Sequence, residues 1–336
     1  MSKLYYQPIV SHLSAAHRLA GGWLWFDDIL VLSRDGTTRI RAQDAPPNVI
    51  SRLTRPRPML SGISLDQPRL MGILNVTPDS FSDGGKYDHP TAAIAHARHM
   101  ARAGASIIDI GGESTRPGAD YVEPEAEIAR TAPVIRSLKA EIDLPISIDT
   151  RKSNVAQAAL QAGADWVNDV SALIFDPAMK SVVATAGAPL CLMHAQGTPD
   201  IMQNNPAYDH VVMDVYDHLE QQITIATDAG IARSNIIVDP GIGFGKTLDH
   251  NLALLKHLSV FHGLGCPILL GTSRKRFIGT ITGADSAETR AHGSVATAQF
   301  GISQGAQIIR AHDVPETMQM LSMYCAMVRA HSSLDD

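Results

Sequence analysis

Met71-Gly-Ile-Leu-Asn-Val-Thr-Pro-Asp-Ser-Phe-Ser-Asp-Gly-Gly85 decides the fold. Together with Leu70, its first residues are apolar at every position up to Leu74. A strand buried on both faces, as in a parallel sheet, reads this way. The apolar run stops at Asn75, and a polar stretch follows with Thr77, Pro78, Asp79, Ser80, Phe81, Asp83 and a glycine pair. A buried strand that runs into a loop of hydrogen-bonding groups is how α/β barrels build active sites.

The same grammar recurs down the chain. Strand-like runs at 70–74, 106–110, 145–148, 166–167, 189–193, 236–238, 267–270 and 307–309 alternate with helical patterns. The helical patterns cover 90–103, 124–141, 153–162, 177–185, 206–229, 248–258, 287–303 and 315–329. Several helices end at a glycine suited to a left-handed cap, at Gly104, Gly163, Gly230 and Gly305. Eight β–α units in the span 58–330 imply a closed (β/α)8 TIM barrel. A doubly wound open sheet is the structural alternative, and no Gly-x-Gly-x-x-Gly opens a helix after any strand to support it. Residues 59–70 fit a short hairpin beneath the first barrel strand.

Residues 1–57 stand apart as a small, β-rich N-terminal extension. Trp23-Leu-Trp-Phe26 and Ile29-Leu-Val-Leu32 read as strands, and Asp35-Gly36 turns into Thr37-Thr-Arg-Ile-Arg41. A connector rich in proline and arginine follows, from Pro46 to Pro58. Residues 331–336 form a C-terminal tail.

Composition narrows the function classes. The chain has 336 residues, 45% of them hydrophobic, and a net charge of −6, which speaks against a nucleic-acid partner. The three cysteines, Cys191, Cys266 and Cys325, are widely spaced and form no pair motif, as expected in a reducing compartment. The N-terminus has one lysine and no apolar h-region, so no secretory signal is expected. The early apolar run 19–32 is broken by Asp27 and Asp28, so no membrane span is expected, and the cytoplasm is the default.

Polar groups cluster where each strand stops. They are Asn75, Gly111-Gly-Glu-Ser-Thr-Arg-Pro-Gly118, Asp149, Asn168, His194, Asp239-Pro-Gly-Ile-Gly-Phe-Gly-Lys246, Gly271-Thr-Ser-Arg-Lys-Arg276 and Arg310-Ala-His312. In a barrel all of these face one mouth. Asp149, Asn168 and Asp239 form an arc of acceptors suited to a planar heterocycle with a guanidine-like edge. Helix caps or internal ion pairs are the plainer readings of either aspartate alone. Lys275, Arg310 and His312, with Ser273, occupy the quarter where barrels bind phosphate. Asn75 is a neutral oxygen suited to Mg2+ held mainly by phosphates and water, or else a structural hydrogen-bonding group. The loops after the first two strands have the composition of lids, with Phe81 and Pro117 as apolar contacts. His96, His99, His210, His218, His250, His257 and His262 are expected at the surface.

The stretch 71–85, Gly111–Gly118, Asp239–Lys246 and Ser273-Arg-Lys275, supported by Met193-His194-x-Gln-Gly and Ile309-Arg-x-His312, resemble the signatures of dihydropteroate synthases. The resemblance spans about residues 59–330. It implies condensation of 4-aminobenzoate with 6-hydroxymethyl-7,8-dihydropterin diphosphate, giving dihydropteroate and pyrophosphate. It places the pterin among Asp149, Asn168, Met193, Asp239, Phe244 and Lys275. It places the diphosphate at Asn75 with Mg2+ and at Arg310 and His312. It places the aminobenzoate among Phe81, Thr115, Arg116, Pro117, Ser273 and Lys275. Asp149, Lys275, Arg310 and His312 are the implied catalytic residues, and a homodimer built through the last barrel helices is implied as well. Three rivals differ in chemistry. A corrinoid-dependent pterin methyltransferase shares the acidic arc without needing the diphosphate groups. A Schiff-base aldolase would use Lys275. A pterin-binding protein without activity would release no pyrophosphate.

Overall fold

The computed structural model describes residues 2–77, 89–114, 119–197 and 206–331. Phe81, Thr115, Arg116 and Pro117 lie outside the described residues, as does the tail after residue 331. The chain opens with β1 (Tyr5–Pro8), β2 (His17–Arg18), β3 (Trp25–Phe26), β4 (Asp28–Ser33), β5 (Gly36–Arg41) and α1 (Pro47–Thr54). The first half of the barrel is β6 (Arg69–Asn75), α2 (His89–Arg102), β7 (Ile107–Gly111), α3 (Pro124–Lys139), β8 (Ile146–Asp149), α4 (Ser153–Ala162), β9 (Trp166–Asp169) and α5 (Met179–Ala186). The second half is β10 (Leu190–Met193), α6 (Val211–Asp228), β11 (Ile236–Asp239), α7 (Leu248–Lys256), β12 (Leu269–Leu270), α8 (Arg276–Thr282), α9 (Ala291–Ser303), β13 (Ile308–Ala311) and α10 (Val314–His331).

Strands β6 to β11 pair in sequence order, all parallel, and β13 sits between β6 and β12. A parallel bridge between Val238 and Ile268 joins the two ends of this order, so the eight strands form the expected barrel. Side chains alternate along each strand, and two separate apolar clusters follow from that period. The outer one packs strands on helices, through Leu70, Ile108, Ile148, Val167, Leu192 and Val238 among others. The inner one joins Met71, Ile107, Trp166, Cys191, Ile237, Leu269 and Ile308 across the barrel floor. Leu60 and Leu65 complete the floor from below. The 59–70 segment makes a tight turn with one bridge, Leu60 to Ile63, and Trp166 Nε1 donates to Ser61 Oγ at 2.8 Å.

In the N-terminal segment β4 and β5 form the expected hairpin across Ser33 and Gly36. Two elements differ from the sequence reading. β1 pairs antiparallel with β4, from Tyr5 opposite Leu32 to Pro8 opposite Ile29, though four residues ending in proline carry little strand signal. The connector contains α1, because a proline in the first helical turn is compatible with a helix and was no reason to exclude one.

This segment is seated on the barrel's flank. Ser259 Oγ donates to the Pro8 carbonyl at 3.0 Å, and Trp23 Nε1 donates to the Ile302 carbonyl at 3.1 Å. Arg57 Nη2 donates to the His262 carbonyl at 3.1 Å. His262 is therefore fully buried, a correction to its expected surface position. The helical spacing hid the segment that covers it. Tyr5 and Leu32 join the outer core, and Tyr5 Oη donates to Asp217 Oδ2 at 2.8 Å. Replacing Tyr5 with alanine should lower the unfolding free energy by about 3 kcal/mol in chemical denaturation. A loss under about 1 kcal/mol would mean that the flank packing contributes little. No helix among the described residues is long and apolar enough to cross a membrane.

Candidate active site

Two residues above most floor side chains, the inner face changes character, whereas Met71 is followed by the apolar Ile73. Ile107 is followed by Asp109, Trp166 by Asn168, Cys191 by Met193, Ile237 by Asp239 and Ile308 by Arg310. Asp149 follows Ser147 in the same way. One residue pair advances a strand by roughly 6.6 Å, so these groups form a polar tier directly above an apolar one. The tier is nearly closed to water: Asp109, Asp149, Asn168, Met193 and Asp239 are all buried.

Arg310 organises this tier. Its Nε donates to Asp109 Oδ2 at 2.5 Å and its Nη2 to Asp149 Oδ2 at 2.6 Å. Asn168 Nδ2 donates to the same Asp109 oxygen at 3.1 Å. The structure thus brings Asp149, Asn168 and Asp239 into one tier and extends Arg310 across to the acidic arc, although the sequence placed it with the phosphate group. Asp109 is the residue that sequence reasoning missed. It lies inside an apolar strand run, before the Gly111 loop that drew attention, and the period of two from Ile107 is the signal that finds it. Asp109 Oδ1 and Asp149 Oδ1 are buried with no hydrogen-bond partner. Orphaned buried acceptors are costly, and here they point to a ligand that brings donors.

Charge states follow from burial and neighbours. Burial works against the Arg310 charge, but Asp109 and Asp149 outweigh it and hold the guanidinium above its ordinary value. Burial pushes Asp149 up from the usual carboxylate range, and Arg310 pulls it back down. Burial pushes Asp239 up to about 6, against the Gly241 N–H and the charges of Lys275 and Arg310. Gly241 N donates to Asp239 Oδ1 at 2.7 Å.

Two strand-end glycines keep the mouth open. A Cβ on Gly111 would lie 3.8 Å from both Asn75 Oδ1 and Asp149 Oδ2. A Cβ on Gly271 would lie 3.8 Å from Asp239 Oδ2 and 3.9 Å from Arg310 Cβ. Asn75 thus stands at the edge of the acidic tier. Ser273 and His312 meet at the ends of β12 and β13, where His312 N donates to Ser273 Oγ at 3.1 Å and His312 Nδ1 lies 3.0 Å from the same hydroxyl. Between Ser273 and Lys275, Arg274 adopts a left-handed φ of 58° and turns to Asp313, with contacts of 3.2 and 2.5 Å. Lys275 Nζ lies 3.8 Å from the centre of the Phe244 ring, a cation–π contact that forms one wall.

The loop carrying Phe244 runs backbone to backbone along the turn after β10. Gly241 and Gly245 have φ of 67° and 63°. A Cβ there would meet the His194 carbonyl oxygen at 1.8 Å and the Gln196 carbonyl oxygen at 2.4 Å. The Gly-x-Gly-x-Gly spacing is thus explained by contact as well as by backbone conformation. On the opposite side, Glu113 pairs with Arg151 at 3.1 Å and with Lys152 at 3.0 Å, and Lys152 also reaches Glu127 at 2.7 Å. Val122 N donates to Glu113 Oε1 at 3.0 Å.

Among the described residues no three His, Cys, Asp or Glu side chains converge to hold a metal ion. A cation at Asn75 would have one neutral protein oxygen, a donor set that fits Mg2+ bound chiefly by a phosphorylated substrate and water.

Comparison with known proteins agrees with this geometry. The family model for "Pterin binding enzyme" matches residues 71–312. A dihydropteroate synthase of Neisseria meningitidis serogroup B is 48% identical over 270 residues, covering 79% of this chain and 94% of that enzyme. The structure of Xanthomonas albilineans dihydropteroate synthase with 4-aminobenzoic acid superposes with a TM-score of 0.76 at 46% identity, covering 80% of this chain and 96% of that one. The same enzyme in complex with 7,8-dihydropteroate gives 0.73 at 44% identity, covering 79% and 95%. With the family model spanning all eight strands, and with identity this high over most of both chains, the chain belongs to the dihydropteroate synthase family of pterin-binding enzymes.

Proposed function

We propose that the chain condenses 4-aminobenzoate with (7,8-dihydropterin-6-yl)methyl diphosphate, giving 7,8-dihydropteroate and pyrophosphate in folate biosynthesis. The observation that carries this reading is the buried tier of acceptors with two orphaned oxygens, on Asp109 and Asp149. A pterin edge presents a guanidine-like set of N–H donors, and carboxylates accept such donors in pairs. Asp149, Asp239 and Asn168 bind that edge, and Met193, Phe244 and Lys275 line the ring. In the free protein Arg310 supplies N–H donors in the place of this edge. Pterin binding takes Asp149 from Arg310, and the freed guanidinium turns to the diphosphate, beside His312 and Ser273. Asn75 is the protein oxygen for Mg2+, which when bound offsets charge on the leaving diphosphate.

The C–O bond to the diphosphate breaks, and the aminobenzoate nitrogen forms the new C–N bond and gives up a proton. Buried Asp149, at the pterin edge, stabilises positive charge that develops on the ring as the leaving group departs. The amine attacks as a neutral nucleophile, so no strong general base is required. Phe81, Thr115, Arg116, Pro117 and Ser273 form the aminobenzoate site in this reading. Exposed Met323 and Met327 on α10 and Phe300 on α9 support a homodimer through these helices. The buried thiols Cys191 and Cys266 support a cytoplasmic location.

The test is pyrophosphate release with both substrates, with each alone, and with Mg2+ chelated. Release that requires both substrates and Mg2+ is expected. Binding of the pterin diphosphate with no release on adding aminobenzoate would refute the reading.

The site also predicts a pH dependence. Asp239 accepts pterin N–H groups only as a carboxylate, and its raised value is about 6. Affinity for the pterin diphosphate should therefore fall as pH drops through about 6 and level off above it. Asp239→Asn should bind more weakly and lose the part of the fall centred near 6, leaving the part due to Asp149, which burial also raises, in calorimetric titrations. An unchanged inflection would assign it to another group.

A further inference from the structure

Lys246 ends the glycine-rich loop, has no role in the chemistry above, and is almost wholly buried. Its Nζ donates to His194 Nδ1 at 2.9 Å, to the Phe244 carbonyl at 3.0 Å and to the His194 carbonyl at 3.3 Å. Three N–H groups thus meet three acceptors, two on the turn after β10 and one on the loop after β11. These are the segments whose backbones touch at Gly241 and Gly245.

We propose that Lys246 is a positioning residue for pterin recognition, tying the His194 turn to the Phe244 loop so that the Phe244 ring is held against Lys275. This rests on the dihydropteroate synthase reading of the site. The argument is one of cost. A methionine would fill similar volume without burying an ammonium, and buried charges add little to stability when an apolar side chain can replace them. A lysine here is accounted for by what it joins. Its link to the Phe244 carbonyl acts on the very residue whose ring lies 3.8 Å from Lys275 Nζ.

The surroundings fit an ammonium held by neutral acceptors. Burial pulls the Lys246 ammonium down to about 7, Asp239 works to keep the charge, and Lys275 opposes it. Burial and the Lys246 charge hold His194 well below the ordinary imidazole value and lower His218 as well. A neutral His194 that accepts at Nδ1 carries its proton on Nε2. Its ring lies 4.6 Å from His218 and 5.9 Å from Tyr208, and Tyr208 Oη donates to the Gly245 carbonyl at 2.7 Å. His250 packs on the far side of Tyr208, with ring centres 5.0 Å apart. Tyr208 thus fixes the same loop from outside.

The experiment is steady-state kinetics of Lys246→Met with each substrate varied in turn. The KM for the pterin diphosphate should rise about 10–100-fold, as for other residues that orient a binding group. The KM for 4-aminobenzoate and kcat should stay within about threefold of wild type. In a Phe244→Leu background, Lys246→Met should add less than about twofold, since the two act through one ring. Additive effects, equal changes in both KM values, or an unchanged pterin KM would overturn the proposal. If Lys246→Met does not melt cooperatively, Lys246→Gln, which keeps a donor, should show an intermediate rise in the pterin KM. Failure of both variants to fold would assign Lys246 to stability alone and overturn the proposal. A wild-type enzyme that releases no pyrophosphate would refute the functional reading instead. The positioning claim would then be read from fluorescence titration with 6-hydroxymethylpterin alone.

Discussion

Arg310→Ala should lower kcat/KM by about 10²–10³-fold, the scale for removing one group that stabilises charge in the transition state. It should also destabilise the free protein, because Arg310 is the only cation bonded to the Asp109 and Asp149 side chains among the described residues. Breaking a buried ion pair by removing one partner costs about 3–5 kcal/mol. The loss should be greatest at neutral pH and smaller in acid, where a proton neutralises Asp149, whose value burial raises. Arg310→Lys should recover part of the stability, but one ammonium cannot bridge two carboxylates as a guanidinium fork does. Thermal melts from pH 5 to 8, beside steady-state rates, check both halves. Normal turnover in Arg310→Ala would remove Arg310 from the mechanism. Normal stability would show that the two carboxylates do not depend on it.

Gly241→Ala is the second large effect. Gly241 has φ of 67°, and an added Cβ would meet the His194 carbonyl oxygen at 1.8 Å. Neither backbone can yield alone, because Gly241 N is held by Asp239 and the His194 carbonyl by Lys246. A loss above about 4 kcal/mol is expected, with pterin affinity lost as Phe244 and Asp239 shift. Gly187 is the control. Its φ of 65° is similar and nothing lies within 4 Å of its Cβ position. Gly187→Ala should cost only the conformational term of about 1 kcal/mol. Equal losses in the two variants, read from denaturant midpoints, would refute the close-contact explanation.

The barrel was legible because the strand runs are mostly apolar on both faces and end in polar residues. The strand-end rule located Asp149, Asn168, Asp239 and Arg310 without any knowledge of pairing. It missed Asp109, which lies within the strand, and it could not give Arg310's direction. A strand position says which way a side chain leaves the sheet, not how far a long arginine reaches. Here the guanidinium crosses from β13 to β7 and β8. The role of Lys246 is not legible in its motif, since its three acceptors come from residues brought together only by the fold. The Glu113, Arg151, Lys152 and Glu127 network was hidden for the same reason. In the N-terminal segment, β1 needed β4 beside it to be recognised, and α1 was masked by its prolines.

The central claim is that the buried acidic tier presents a pterin diphosphate to an amine. Its most direct test is to quantify both products of one reaction, dihydropteroate by mass spectrometry and pyrophosphate enzymatically. Equimolar amounts, formed only when 4-aminobenzoate is present, are predicted. Pyrophosphate without dihydropteroate, or neither product from a well-folded protein with both substrates and Mg2+, would contradict it.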